Sequence, residues 1–158
     1  MLVMPRRPKR RTASRQRSIE VLFIAGFGPI VADPVSGPQL YESDLGIDFE
    51  QMPGGYRHTE KLEGAKHFAL WPLEQAAQSC FGTPAWPASI PIPQAWIEFD
   101  VADVASASSQ LEKRGYRLLV NARREPWGQT VSRLLGPEGL LVGITFTPWL
   151  RPTGDRAK

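Results

Sequence analysis

Residues 94–119 read "QAWIEFDVADVASASSQLEKRGYRLL" and carry the pattern of one strand, one helix and the start of a second strand. Ala95, Ile97, Phe99 and Val101 alternate with Trp96, Glu98 and Asp100, so one strand face is apolar and the other is not. Asp103 is placed to cap a helix in which Val104, Ala107 and Leu111 recur at helical spacing, and Gly115 suits a left-handed stop. The stretch therefore asks what a large aromatic ring and two carboxylates do on the strand face that avoids the apolar core.

The same pattern occurs earlier in the chain. "VAD" stands at 31–33 as well as at 101–103, each time between a strand-like run and a helix-like one. Asp33 with Pro34 opens the first segment and Gly46 closes it, 13 residues after the Asp, against 12 from Asp103 to Gly115. An "EG" turn follows in each half, Glu63-Gly64 before "AKHFALWPL" and Glu138-Gly139 before "LLVGITFTPWL". Four features in one order argue for duplication of a strand–helix–strands unit. The reading is a chain of two such units. It divides into a basic arm (1–17), a first module (18–80), a Pro-rich linker (81–93), a second module (94–150) and a tail (151–158).

Within the modules, "TVSRLL" (130–135) and "LLVGITFT" (140–147) are the clearest further strands, and Gly54-Gly55 marks a hairpin turn. The run 19–32 contains Gly26, Gly28 and Pro29 and is expected to be kinked or bulged. Helices are expected near 34–44 and 103–114.

Composition sets limits on partners. With 158 residues, 42% apolar and 22% charged, the chain is an ordinary soluble one that can bury a core. No apolar run reaches the roughly 18 residues of a membrane span, and the N-terminus lacks the apolar stretch of a secretory signal. A single cysteine, Cys80, fits a reducing cytoplasm and reads as an inert, buried thiol. Seven Arg and Lys residues fall within 1–17, leaving 12 basic and 16 acidic residues, a net of −4, for the rest. The arm has no aromatic residue to stack on bases, so nucleic acid is not the expected partner. Nothing has the form of a phosphate loop, a nucleophile elbow or a zinc finger.

A strand ending in Asp, a helix ending near Gly, a "PWG" segment (126–128) and "GPEGLLVGI" (136–144) together resemble the vicinal-oxygen-chelate superfamily of glyoxalases, extradiol dioxygenases and bleomycin-resistance proteins. The likeness covers 19–150 and is closest to the bleomycin-resistance members, although Gly136 stands where the family's turn has Asp. It implies an α+β fold of two βαβββ modules whose curved mixed sheets enclose a cleft, a small organic ligand, and a homodimer. It also implies up to four metal-ligand positions, which here fall on Gly26, Phe68, Trp96 and Gly143, none of them a metal ligand. His67 lies beside the Phe68 position, and a one-residue slip would bring it inward.

The expectation that follows is a non-catalytic binding protein, drug-sequestering as the resemblance implies, with no metal and no other cofactor. Its ligand site is expected to use Trp96, Glu98, Trp127, His67 and Thr145, and to take an aromatic or cationic molecule. The alternatives are a metal-dependent lyase, isomerase or dioxygenase of the same fold, and a metal-free enzyme with Glu98 or His67 as base. Asp100 is expected to face the cleft with Trp96 and Glu98. Trp71 and Trp149 read as sheet-edge packing, Trp86 as a residue of the cleft mouth or a subunit contact, Arg123 and Arg124 as solvated, and His58 as a surface residue.

Overall fold

The computed structural model describes residues 18–152; the basic arm and all but the first residues of the tail lie outside the described residues. The first module begins with β1 (Phe23–Val31) and turns through α1 (Ser36–Pro38) into a π-helical turn at Gln39–Asp44. Asp33 holds this entry, its carboxylate accepting from the Val35 amide at 2.9 Å and the Ser36 hydroxyl at 2.7 Å. Three strands follow: β2 (Glu50–Gln51), β3 (Arg57–Thr59) and β4 (Phe68–Pro72). The second module repeats the order with β5 (Ala95–Asp100), a helix at Val104–Lys113, β6 (Val120–Arg124), β7 (Thr130–Leu135) and β8 (Leu141–Phe146). A helix at Leu73–Phe81, which the sequence pattern did not suggest, lies between them. In chain order the helices are thus α1, α2 (Leu73–Phe81) and α3 (Val104–Lys113).

The eight strands form one mixed, curved sheet in the order β2-β3-β4-β1-β5-β8-β7-β6. Outward from the centre, each half runs first strand, last strand, then the middle pair, so the halves are related as repeats. The modules meet inside one chain, edge to edge, where β1 pairs antiparallel with β5. Each first strand also pairs parallel with the last strand of its own module. The expected irregularity in the first strand is a register shift between Ile24 and Gly26.

Alternation along the strands decides the two faces. On the convex face Phe68 and Leu70 pack with Phe49, Tyr41 and Ile47 under the first helical segment. Val101, Ile144 and Phe146 pack with Val104 and Ala107 under α3, which Asp103 caps by accepting from the Ser106 amide at 2.9 Å. On the concave face Ala69, Trp71, Trp96, Val131 and Leu141 form a third cluster, closed at one end by Ala76 and Cys80 of α2. Among the described residues, no helix is long and apolar enough to cross a membrane.

Asp100 does not open into the cleft. It is fully buried, accepts from the Thr147 amide at 2.7 Å and forms an ion pair with Arg151. The Arg151 guanidinium also lies 4.1 Å from the centre of the Phe146 ring. The pair pins the segment after β8, a short 3-10 turn at Pro148–Leu150, against the sheet. Removing one partner of a buried pair leaves an uncompensated charge. Asp100→Ala is therefore expected to lower the unfolding free energy by about 3 kcal/mol in urea denaturation. A loss under about 1 kcal/mol would show that Arg151 simply swings into water and does not anchor the turn.

Candidate functional site

The concave face encloses a cavity of about 510 Å³. Its floor is the seam between the modules. Trp96, 4% exposed, lies across Gly26 so closely that a Cβ there would meet the Trp96 ring at 2.9 Å and His67 at 3.2 Å. Glu98 occupies the matching place beside Gly143, whose added Cβ would meet Glu98 Cγ at 2.6 Å. Glycine at these two positions makes room for the two large side chains of β5.

Four tryptophans line the cavity: Trp71, Trp96, Trp127 and Trp149. Trp71 meets Trp96 edge-on, with ring centres 5.7 Å apart. Trp127, on the β6–β7 turn, and Trp149, on the anchored 3-10 turn, are half-exposed at 54% and 51% and form the rim. The sheet-edge reading of Trp71 and Trp149 is thus corrected: the alternation of β4 sends Trp71 to the concave face, and the Asp100–Arg151 anchor folds Trp149 back over it. Trp86 instead packs edge-on against Phe81 and donates its indole N–H to the Ile90 carbonyl at 3.0 Å, away from the cavity.

The charged groups are paired with one another. Arg133 of β7, 2% exposed, lies over Trp71 at 5.0 Å, donates through Nη1 to Ser79 Oγ at 2.7 Å, and pairs with Glu125 at 3.1 Å. Its Nη2 stands 3.5 Å from Glu98 Oε1. Gln129 donates to Glu98 Oε2 at 2.9 Å and to Thr147 Oγ1 at 3.1 Å, while its carbonyl accepts from Trp127 Nε1 at 3.1 Å. Complete burial pushes the Glu98 carboxyl above the ordinary range; Arg133 and the Gln129 hydrogen bond pull the other way without cancelling it. Arg123 is not simply solvated, since it bonds to Glu125 at 2.6 Å and to Ser79. Cys80 lies beneath this network, its thiol raised by burial.

On the other side of Trp96, His67 turns into the cavity while Phe68 turns away, so the slip by one residue is real. Tyr56 Oη is 2.8 Å from His67 Nε2, and Glu60 is 3.4 Å from His67 Nδ1. The arrangement assigns a neutral imidazole with its proton on Nδ1 toward Glu60 and Nε2 accepting from the phenol. His58 stacks on His67 with ring centres 5.2 Å apart and lines the cavity, contrary to its reading as a surface residue. Burial raises the Tyr56 phenol, so it stays protonated.

Of the expected ligand residues, Trp96, Glu98, Trp127 and His67 line one cavity. Thr145 does not: it is fully buried on β8, hydrogen-bonded to Thr147, which takes the place at the cavity wall. Sequence reasoning missed Arg133, Gln129, Tyr56 and His58. Arg133 carried a signal, an arginine between Val131 and Leu135 on an otherwise apolar strand face.

Structural comparison bears on this geometry. A glyoxalase/bleomycin resistance protein/dioxygenase superfamily member from Vibrio splendidus 12B01 aligns over 82% of this chain and 100% of its own, at TM-score 0.52 and 12% identity. The chain has the vicinal-oxygen-chelate fold. A Streptomyces coelicolor methylmalonyl-CoA epimerase variant, in complex with 2-nitronate-propionyl-CoA, aligns over 84% of this chain and 99% of its own, at TM-score 0.50 and 18% identity. No protein-family profile matches the sequence, and no curated protein matches it.

The residues present do not fit the metal that vicinal-oxygen-chelate enzymes hold at this seam. The positions inferred for its ligands are Gly26, Trp96 and Gly143, plus His67 in place of Phe68. Trp96 and Glu98 fill the space over the two glycines, and both His67 nitrogens are engaged. Glu98 faces a guanidinium, which would repel a cation. Among the described residues, no cluster of three or more His, Cys, Asp or Glu side chains is arranged to hold a metal.

Burial holds the His67 imidazole below its ordinary value; the Glu60 hydrogen bond opposes this and neighbouring His58 adds to it. An unfolded histidine titrates near about 6.5. Between that value and the lowered native one, the unfolded chain binds more protons, so stability falls as pH falls through this window. Glu98, raised by burial, has the opposite slope, losing stability as pH rises through its native value. The comparison is therefore with His67→Gln, which is expected to lose less unfolding free energy than the wild type between pH 7 and pH 5. Equal losses would show that the imidazole is not held neutral.

Proposed function

We propose that this chain binds a flat organic molecule in the tryptophan-lined cavity and releases it unchanged, a sequestering role such as the bleomycin-resistance members of this fold perform. The observation that carries the reading is the composition of the site. Four tryptophans surround a space of about 510 Å³, within the range typical of small-molecule sites. Its charged residues are committed to pairs or hydrogen bonds with one another. Aromatic walls supply contact area at low conformational cost, and flat ligands exploit it by stacking. We further read the protein as a cytoplasmic homodimer; sedimentation showing only monomer at micromolar concentration would remove the dimer from this reading.

A second reading is favoured by one observation, the Glu60–His67–Tyr56 chain. A neutral imidazole oriented by a carboxylate and bonded to a phenol is able to move a proton at the cavity wall without a metal. One experiment separates the two. Bicyclic aromatic compounds are expected to quench tryptophan emission and raise the melting temperature, and chromatography is expected to return them unchanged. Zinc, nickel and iron(II) are expected to give no shift, whereas native-state binding at a hundredfold excess over Kd would add about 2.7 kcal/mol. Conversion of a bound compound that disappears in His67→Gln would replace the binding reading with a metal-free enzyme. A stabilising metal would contradict both.

A further inference from the structure

Gln129 joins the floor of the cavity to its rim. The residue is 5% exposed and lines the cavity. Its Nε2 donates to Glu98 Oε2 of β5 at 2.9 Å and to Thr147 Oγ1, just past β8, at 3.1 Å. Its Oε1 accepts from Trp127 Nε1 at 3.1 Å. An indole N–H only donates, so the amide has to present its oxygen to Trp127 and its N–H groups to Glu98 and Thr147. Through Thr147, whose own amide donates to Asp100, the bridge also reaches the 3-10 turn that carries Trp149.

Both ends of this bridge depend on the amide. Trp127 is 54% exposed and, among the described residues, makes no ring–ring contact. Its turn is closed by the Gly128 amide on the Glu125 carbonyl at 2.9 Å and by the Glu125 amide on the Gln129 carbonyl at 2.7 Å. Those bonds place the Trp127 backbone, and the bond from Nε1 places its ring. Without it a half-exposed side chain changes rotamer quickly. At the floor, Gln129 gives Glu98 its short hydrogen bond, since the Arg133 contact is 3.5 Å. Leucine could supply neither half of the bridge, and a carboxylate could accept but would stand against Glu98.

Resting on the binding reading above, we infer that Gln129 is the positioning residue that sets how long a ligand stays in the cavity: its amide, braced on Glu98, holds the Trp127 ring as part of the wall at the rim. With the bridge in place the ring is ordered before the ligand arrives, so binding does not carry that cost. Without it each ligand has to order the ring itself. The loss then falls on dissociation, where most affinity differences among variants of one site arise. Gln129 need not touch the ligand to have this effect.

Stopped-flow tryptophan quenching with coumarin, a flat bicyclic probe, tests this in the wild type, Gln129→Leu, Trp127→Phe and the double variant. Each single substitution removes the Trp127–Gln129 hydrogen bond from one side. Gln129→Leu is expected to raise the dissociation rate by about tenfold, the worth of one hydrogen bond, with the association rate changed less than threefold. Trp127→Phe, which keeps a ring at the rim, is expected to raise it too. The double variant is expected to dissociate within twofold of Gln129→Leu, because both substitutions act through one bond. In proton–nitrogen spectra of unliganded Gln129→Leu, the Trp127 indole signal is expected to move upfield while that of Trp86 stays fixed, which separates loss of the bridge from loss of the fold. Should Gln129→Leu not fold, the Trp127→Phe rate decides. Dissociation within twofold of wild type in a folded single variant, effects that multiply in the double variant, or a loss carried by association overturns the inference and leaves the binding reading standing. No binding of coumarin by the wild type overturns both.

Discussion

The antiparallel pairing of β1 with β5 is the constraint on which the rest of the molecule depends. It joins two modules into one sheet, and it brings Gly26 opposite Glu98 and Gly28 opposite Trp96. Gly28 has no alternative: a Cβ there would lie 1.8 Å from the Ala69 carbonyl of the neighbouring strand. β1 is thus squeezed between β4 and β5 at a point where only backbone fits, and the large side chains of β5 lie over it. The cavity floor is a consequence of this seam. A trough with a bare strand on one side and Trp96 and Glu98 on the other is an aromatic and acidic surface, not a ring of metal ligands.

What surrounds the floor is held by long-range polar contacts. Arg133 ties β7 to Glu125 on the β6–β7 turn and to Ser79 on α2, so the helix between the modules is locked to the second module. Gln129 links Trp127 at the rim to Glu98 at the floor. Asp100 and Arg151 fold Trp149 over the opposite rim. Arg133 and Gln129 line the cavity themselves, while Asp100 and Arg151 act from behind it, so buried charge and hydrogen bonds hold the aromatic walls in place.

The fold was legible in the sequence because its signals are local. Asp103 marks its helix entry by capping, Asp33 instead forms a turn just ahead of a helix whose N-cap is Val35, and Gly46 and Gly115 mark the two exits with positive φ. Alternation in 95–101 and 130–135 marks strand faces in the same local way. Half of the site was legible for that reason: Trp96 and Glu98 share a face by parity alone. Asp100 shares that parity, yet its partner Arg151 lies 51 residues on, and no local pattern announces the pair. His58, Trp71 and Trp149 were misread for the same cause, since burial there is supplied by elements distant in sequence. His67 stands where Phe68 was counted because the run from the turn glycine Gly64 into β4 is one residue shorter than that from Gly139 to Gly143 on β8.

The central claim is that the seam of this vicinal-oxygen-chelate fold is an organic-ligand site where the fold's enzymes hold a metal. The most direct measurement follows the five indole N–H signals by proton–nitrogen correlation spectroscopy during separate titrations with coumarin and with zinc. With coumarin, a bicyclic aromatic, the signals of Trp71, Trp96, Trp127 and Trp149 are predicted to shift and saturate together, and that of Trp86 to stay fixed. Zinc is predicted to move none of them. A one-to-one zinc titration that shifts Trp96 and His67 together, with coumarin leaving both in place, would contradict the account.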